Sequence, residues 1–186
     1  MYRENLRIAV VLGGDHRGRT GPRVSSWFLD LLTARPGVEI DVLDVAEHRG
    51  DGHGTPSKVF SASVAAADGF VVVTPEYNHG YPGPLKSAID SARREWFAKP
   101  VAFVSYGGMS GGLRAVEQLR TVFAELHVTS VRTSVSLHNA REMFADGAVS
   151  GERGAGAAAA VAEMLDQLTW WALSLREARD RRPFPG

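Results

Sequence analysis

Five short apolar runs punctuate the chain, at Ile8–Leu12, Val38–Leu43, Phe70–Val73, Val101–Val104 and Val131–Leu137. Each is bounded by polar or glycine-rich turns and predicts a β-strand. Between them apolar residues recur every three or four positions, the helical period. Val24, Trp27, Phe28, Leu31 and Leu32 mark a first helix; Leu85, Ile89 and Ala92 a third; Leu113, Val116, Leu119, Phe123 and Leu126 a fourth. A thinner apolar face over Ser57–Ala67 predicts the second. From Gly151 onward Val161, Met164, Leu165, Leu168, Ala172 and Leu175 form one stripe of a long C-terminal helix. Strands alternating with helices imply stacked βαβ units, an α/β class with a parallel sheet covered on both faces.

The texture of the strands orders them. The first, third and fourth are unbroken apolar runs, which suits strands buried on both faces. The second, Val38-Glu39-Ile40-Asp41-Val42, and the fifth, Val131-Arg132-Thr133-Ser134-Val135-Ser136-Leu137, alternate and belong at the edges. With right-handed crossovers the result is a three-layer sandwich around a five-stranded parallel sheet of order 2-1-3-4-5. That order reverses direction between strands one and three, so the loops leaving them part and open a crevice.

Three loops converge there. Gly13–Pro22 leaves strand one and is rich in glycine and basic groups. Free amides ahead of a helix whose first turn is expected to begin at Pro22, with Gly14, Asp15, His16, Gly21 and the Arg19 guanidinium, make a phosphate cradle, or equally a solvated turn. The loop lacks both the Gly-Lys-Ser/Thr of a nucleotide-triphosphate loop and the Gly-x-Gly-x-x-Gly dinucleotide pattern. Strand three ends in Thr74-Pro75-Glu76-Tyr77-Asn78-His79-Gly80-Tyr81-Pro82. There Pro75 stiffens the exit, Tyr77 offers a ring face and Asn78 offers donors and acceptors to a polar ring edge. Strand four ends in Ser105-Tyr106-Gly107-Gly108-Met109-Ser110-Gly111-Gly112, glycines that let main-chain amides approach a planar ligand.

Length and composition narrow the field further. At 186 residues and 44% hydrophobic content, residues 1–186 are expected to form a single domain. Zero formal net charge gives no field for collecting nucleic acid or an anionic membrane, so partners should be small molecules or copies of itself. Without cysteine there is no thiol redox chemistry and no cysteine-based metal site, so electron transfer would need a borrowed cofactor. The chain enters its first strand with no basic-then-apolar leader and has no run approaching about 18 apolar residues, which makes a cytoplasmic location the expectation. The Gly/His/Asp-rich stretch Ala46–Pro56 reads as a loop near the same rim.

The contiguous stretch Pro75-Glu76-Tyr77-Asn78-His79-Gly80-Tyr81-Pro82-Gly83-Pro84-Leu85-Lys86, continued by Ala88-Ile89-Asp90, resembles the signature of the NADPH-dependent FMN reductase family. Arg19, Gly21 and Pro22 match that family's phosphate loop, with Gly14 where a serine and His16 where an arginine is common. Tyr106-Gly107-Gly108 and the following Arg114–Arg120 continue the likeness, which covers about residues 6–137. Ser87 stands where an asparagine is usual, and Ser91 where an aromatic is frequent. The resemblance implies a flavodoxin-like fold that binds FMN. Gly14, Asp15, His16, Arg19, Gly21 and Pro22 would lie at its phosphate, and Pro75, Glu76, Tyr77 and Asn78 with Ser105, Tyr106, Gly107 and Gly108 at its ring. It implies a reductase passing two electrons from NADPH through FMN to a quinone, azo, nitro or flavin acceptor. No catalytic acid or base is needed for the hydride step. It also implies a homodimer or homotetramer, with the helix after Pro82 and Arg93-Arg94-Glu95-Trp96 as a contact surface. A flavodoxin-type carrier without pyridine-nucleotide turnover, or a flavin-free binding or biosynthetic protein on the same fold, are the alternatives.

Other chemistries have little basis. His16, His48, His53, His79, His127 and His138 form no metal-ligand spacing, and Glu76, Asp68 and Asp90 lie on separate elements. Ser105 and Ser110 sit in no Gly-x-Ser-x-Gly elbow. Trp170 and Trp171 read as packing or interface residues.

Overall fold

The computed structural model describes residues 5–14, 20–47, 58–146, 149 and 151–185. Its elements in chain order are β1 (Leu6–Leu12), α1 (Thr20–Thr33), β2 (Val38–Asp44), α2 (Lys58–Ala66), β3 (Gly69–Pro75), α3 (Gly83–Asp90), a 3₁₀ turn (Arg94–Trp96), β4 (Pro100–Tyr106), α4 (Leu113–Glu125), β5 (Thr129–Ser130), β6 (Val135–Leu137), α5 (Ala140–Met143) and α6 (Gly151–Arg181). The strands pair in parallel in the order β2-β1-β3-β4-β5, with β6 also on β4. This is the 2-1-3-4-5 sheet of a flavodoxin-like α/β sandwich.

Side-chain alternation divides the core into two layers. Ile8, Val10, Val71, Val73, Ala102 and Val104 face α1, α5 and α6, where Val24, Phe28, Leu32, Met164 and Leu168 close over them. Ala9, Val11, Phe70, Val72, Val101 and Phe103 face α2, α3 and α4. Every residue of β3 and β4 is buried, whereas β2 keeps only Leu43 fully inside, as suits an edge strand.

Of the predicted fifth strand, Val131–Leu137, only Val135–Leu137 is strand, and a separate two-residue strand, Thr129–Ser130, precedes it. Thr129 and Ser130 pair with Pro100 and Val101, and Val135–Leu137 pair with Val104–Tyr106. Between them the Val131 amide still donates to the Val101 carbonyl at 2.9 Å, and other backbone groups are satisfied by side chains. Arg120 on α4 donates to the Val131 and Arg132 carbonyls at 2.9 and 3.1 Å, and the Thr133 amide donates to Gln167 Oε1 on α6 at 3.1 Å. Side chains from both helical layers thus replace the sheet ladder at that point. Helix α1 begins at Thr20, two residues before the expected Pro22, and Ala92 falls beyond the end of α3.

Trp96 corrects a reading of the sequence. Instead of facing a partner it is fully buried, its ring edge-on to Phe70 and Phe123 at 4.5 and 5.4 Å. Its indole N–H donates to the Ile89 carbonyl at 3.0 Å, the bond a buried indole needs. Among the described residues no helix is long and apolar enough to cross a membrane. The loop expected at Ala46–Pro56 lies mostly outside the described residues.

Candidate functional site

At the carboxyl ends of β3 and β4 a crevice of about 310 Å³ opens between Pro75, Glu76, Tyr77, Tyr106, Gly107 and Gly108. Its far wall is the start of α5, and Thr20 at the start of α1 contributes to it. The volume lies at the small end of the range for ligand pockets, about 300–1,000 Å³.

The strand-three exit is a rigid hairpin. The Tyr77 and Gly80 backbones exchange hydrogen bonds at 2.9 and 3.1 Å, and the central pair Asn78 and His79 have φ of 51° and 71°. Two positive φ values in a two-residue loop define a type I′ turn, which asparagine tolerates well at the first place and histidine less well at the second. Gln118 Nε2 of α4 donates to the His79 carbonyl at 2.9 Å and holds the turn against the helix. Tyr77 is left 44% exposed at the mouth.

Glu76 braces the same exit. Its side chain is 7% exposed and accepts from the Arg114 guanidinium at 2.8 Å and the Arg114 amide at 3.1 Å. Desolvation pushes its pKa up, but hydrogen bonds from Arg114 and Ser110, with the arginine charge, outweigh that and leave it below the usual carboxylate value. The carboxylate therefore caps α4, whose own N-cap residue, Gly112, has no side chain to do so.

The strand-four loop is held from below. Ser105 is buried and its hydroxyl donates to the Gly111 carbonyl at 2.8 Å, as does that of Ser136 at 2.9 Å. The Ser105 side chain thus serves the glycine loop and leaves only backbone for a ligand. Gly111 and Gly112 need their positive φ of 60° and 87°, and a Cβ on Gly112 would lie 2.6 Å from that of Ser105. A Cβ on Gly108 would meet nothing within 4 Å, so its face is open.

Tyr106 reaches the other way from the rest of its loop. Its hydroxyl lies 2.9 Å from where a Cβ on Gly14 would be and 2.7 Å from one on Gly21. The ring therefore bridges β4 and the two described ends of the strand-one loop, and both glycines allow that approach. Asp15, His16 and Arg19 of the same loop lie outside the described residues. Pro22 is exposed in the first turn of α1.

Sequence reasoning missed the wall formed by Asn139, Ala140, Arg141 and Glu142. The Asn139 and Ala140 amides donate to the Gly108 and Gly107 carbonyls at 2.8 and 2.9 Å, pinning α5 to the glycine loop. Arg23 of α1 secures the far end by donating to the Phe144 and Ala145 carbonyls at 2.5 and 3.0 Å. The available signal was topological: this segment follows the last strand at the same sheet edge.

These residues suit a flat ligand. Tyr77 and Gly108 leave an open slot, main-chain groups line it, and Gly14 and Gly21 are cleared of side chains next to a phenol hydroxyl. Among the described residues no group of three or more histidines and carboxylates comes together to hold a metal ion.

Residues 6–142 match the family model for NADPH-dependent FMN reductase. The chain is 31% identical over 157 residues to an NAD(P)H-dependent FMN reductase of Schizosaccharomyces pombe, covering 77% of this chain and 78% of the relative. It is 33% identical over 136 residues to a probable NADPH:quinone oxidoreductase of Oryza sativa subsp. japonica, covering 66% and 67%. The flavoenzyme NAD(P)H:(acceptor) oxidoreductase FerB from Paracoccus denitrificans shares the fold with a TM-score of 0.68 at 24% identity, over 88% of this chain and 97% of that one. With three quarters of its length matched, the chain belongs to the NADPH-dependent FMN reductase family.

Proposed function

We propose that the protein is an NAD(P)H-dependent FMN oxidoreductase in which the crevice between the β3 and β4 exits takes the flavin ring and the strand-one loop takes its phosphate. The observation that carries this reading is the convergence of Tyr77, Gly107–Gly108 and Thr20 on one slot at the carboxyl edge of the sheet, with Gly14 and Gly21 beside the Tyr106 hydroxyl, in a chain of this family. FMN held there would supply the two-electron chemistry that links a nicotinamide to a second substrate.

The chain's own residues have three tasks. Pro75, Tyr77 and Asn78 would fix one side of the ring, with Glu76 acting through Arg114 to hold that exit rigid. Gly107 and Gly108, with Tyr106 behind them, would bring backbone against the other side. Gly14, Asp15, His16, Arg19, Gly21 and Pro22 would hold the phosphate. No side chain needs to carry a proton in the hydride step, and alignment of two rings accounts for the rate.

The second substrate is a small oxidised ring or conjugated acceptor, a quinone, azo, nitro or flavin compound, and a quinone is favoured by the relatives. The open mouth at Tyr77 leaves room for nicotinamide and acceptor to use the same face in turn. We further place the protein in the cytoplasm as a homodimer or homotetramer.

The test is to purify the protein, saturate it with FMN, and mix it with NADPH without oxygen in a stopped-flow instrument. Loss of the flavin band near 450 nm within seconds, followed by its return on adding a quinone, is the expected result. Absence of FMN binding would remove the assignment. Binding without reduction would favour an electron carrier.

A further inference from the structure

A second cavity, of about 630 Å³ and larger than the crevice, lies at the opposite edge of the sheet. It is walled by Ala98 before β4, His127 and Thr129 at the start of β5, Leu175, Ala178 and Arg179 of α6, and the segment Arg182–Pro185 beyond that helix. Strand β4 runs from one site to the other, six steps of about 3.3 Å, so the two are separated by roughly 20 Å.

Its walls combine an apolar body with positive charge. Phe184, 41% exposed, and His127 lie with ring centroids 5.4 Å apart and planes tilted by 56°, and Phe97 meets Phe184 edge-on at 6.2 Å. Two arginines line the cavity and no carboxylate does. Two acids act on Arg179 from outside the lining, Asp180 beside it in sequence and Asp68, which is already engaged. Asp68 takes a 3.1 Å bond from Arg176 and a 3.0 Å bond from the Arg7 amide, and stands 3.7 Å from Arg179. Arg179 donates to the Ala98 carbonyl at 2.5 Å. Arg182 is exposed, and no ion pair among the described residues engages it. Burial lowers the Arg179 pKa, against the opposing pull of Asp68 and Asp180.

We propose that this cavity is a binding site for a small aromatic monoanion, whose ring lies against Phe184, Leu175 and Ala178 and whose carboxylate pairs with Arg182 and Arg179. Guanidinium forks match carboxylates in the plane of two hydrogen bonds, and aromatic and apolar walls supply the area such a ligand must bury. The site is independent of the flavin assignment, since no residue is shared between the two.

The experiment uses full-length protein saturated with FMN, so that the crevice is blocked, and follows 4-(trifluoromethyl)benzoate by fluorine NMR. The uncharged 4-(trifluoromethyl)benzamide is run beside it, and amide chemical shifts report location. Saturable binding of the benzoate is expected, with shifts concentrated at His127, Thr129 and residues 178–185. Affinity should fall at least tenfold in Arg182→Glu and for the benzamide, while Arg182→Lys keeps most of it. Because Arg182 and Phe184 are exposed, Arg182→Glu and Phe184→Ala should fold, and Phe184→Ala should weaken binding by severalfold. The proposal is overturned if the benzoate does not bind, if the benzamide or Arg182→Glu binds equally well, or if the shifts map to Tyr77 and Gly108 instead.

Discussion

The Glu76 carboxylate accepts from both the backbone amide and the guanidinium of Arg114, joining the end of β3 to the first turn of α4 across 38 residues of sequence. Arg114 is half exposed, so the charge pairing itself is screened by water and adds little. The capped amide matters more, because that helix end has no local side chain to serve it.

Glu76→Ala should therefore cost about 1 kcal/mol, the usual value of a lost N-cap, and loosen the flavin slot. Urea unfolding and FMN titration together check it, with a several-fold rise in Kd expected. The pH dependence has a definite sign. The folded carboxyl has a lowered pKa, so its contribution is complete above the ordinary value of 4.5 and disappears as pH falls through the folded value. Glu76→Ala should melt closer to wild type at acid pH than at pH 7.

Gly21 and Tyr106 give a separable prediction. A methyl at Gly21 would sit 2.7 Å from the Tyr106 hydroxyl but 3.6 Å from the ring carbon bearing it, so only the oxygen clashes. Gly21→Ala should weaken FMN binding about tenfold with little loss of stability, since alanine favours the helix. Combined with Tyr106→Phe, the alanine should cost less than threefold beyond Tyr106→Phe alone. Equal losses in both backgrounds would show that the clash is not the cause.

How far these sites could be read from the sequence depended on how local each signal was. Buried strands and their order were visible because Phe70–Val73 and Val101–Val104 have no polar face, and the loops followed from where those strands end. Residues tied down from a distance were not visible. Nothing near Val131–Ser134 announces that Arg120 and Gln167 will take its backbone groups, and nothing near Trp96 says that its ring fills the space between Phe70 and Phe123. Likewise Glu76 reads as a ring contact until Arg114 is seen beside it, and Asn139–Glu142 become part of the slot only once α5 is folded back onto Gly107.

His79 holds φ at 71° in the second place of a tight hairpin, where glycine carries no Cβ penalty. Its carbonyl, not its ring, makes the bond to Gln118. His79→Gly should thus stabilise the protein by up to about 1 kcal/mol, after allowing for the greater freedom of glycine when unfolded. The rate of flavin reduction should be unchanged. A lower melting temperature would mean that the imidazole itself supports the fold.

Lys99 is buried between α2 and β4, and its Nζ donates to the Val64 and Ala65 carbonyls at 2.7 and 2.9 Å. Burial, followed by the nearby Arg179 charge, pushes its pKa down from 10.5 to about 8. Here the folded value lies below the unfolded one, so between about pH 8 and 10.5 the unfolded chain binds more protons and stability rises with pH. Below that window the folded protein bears a constant cost of charging a buried amine, on the order of 3 kcal/mol. A neutral amine still has two N–H bonds for the two carbonyls, so deprotonation relieves the charge without orphaning the end of α2. Wild-type protein should accordingly gain stability against urea from pH 8 to 10, and Lys99→Met should lose that gain. A parallel pH profile for the two proteins would place the titrating group elsewhere.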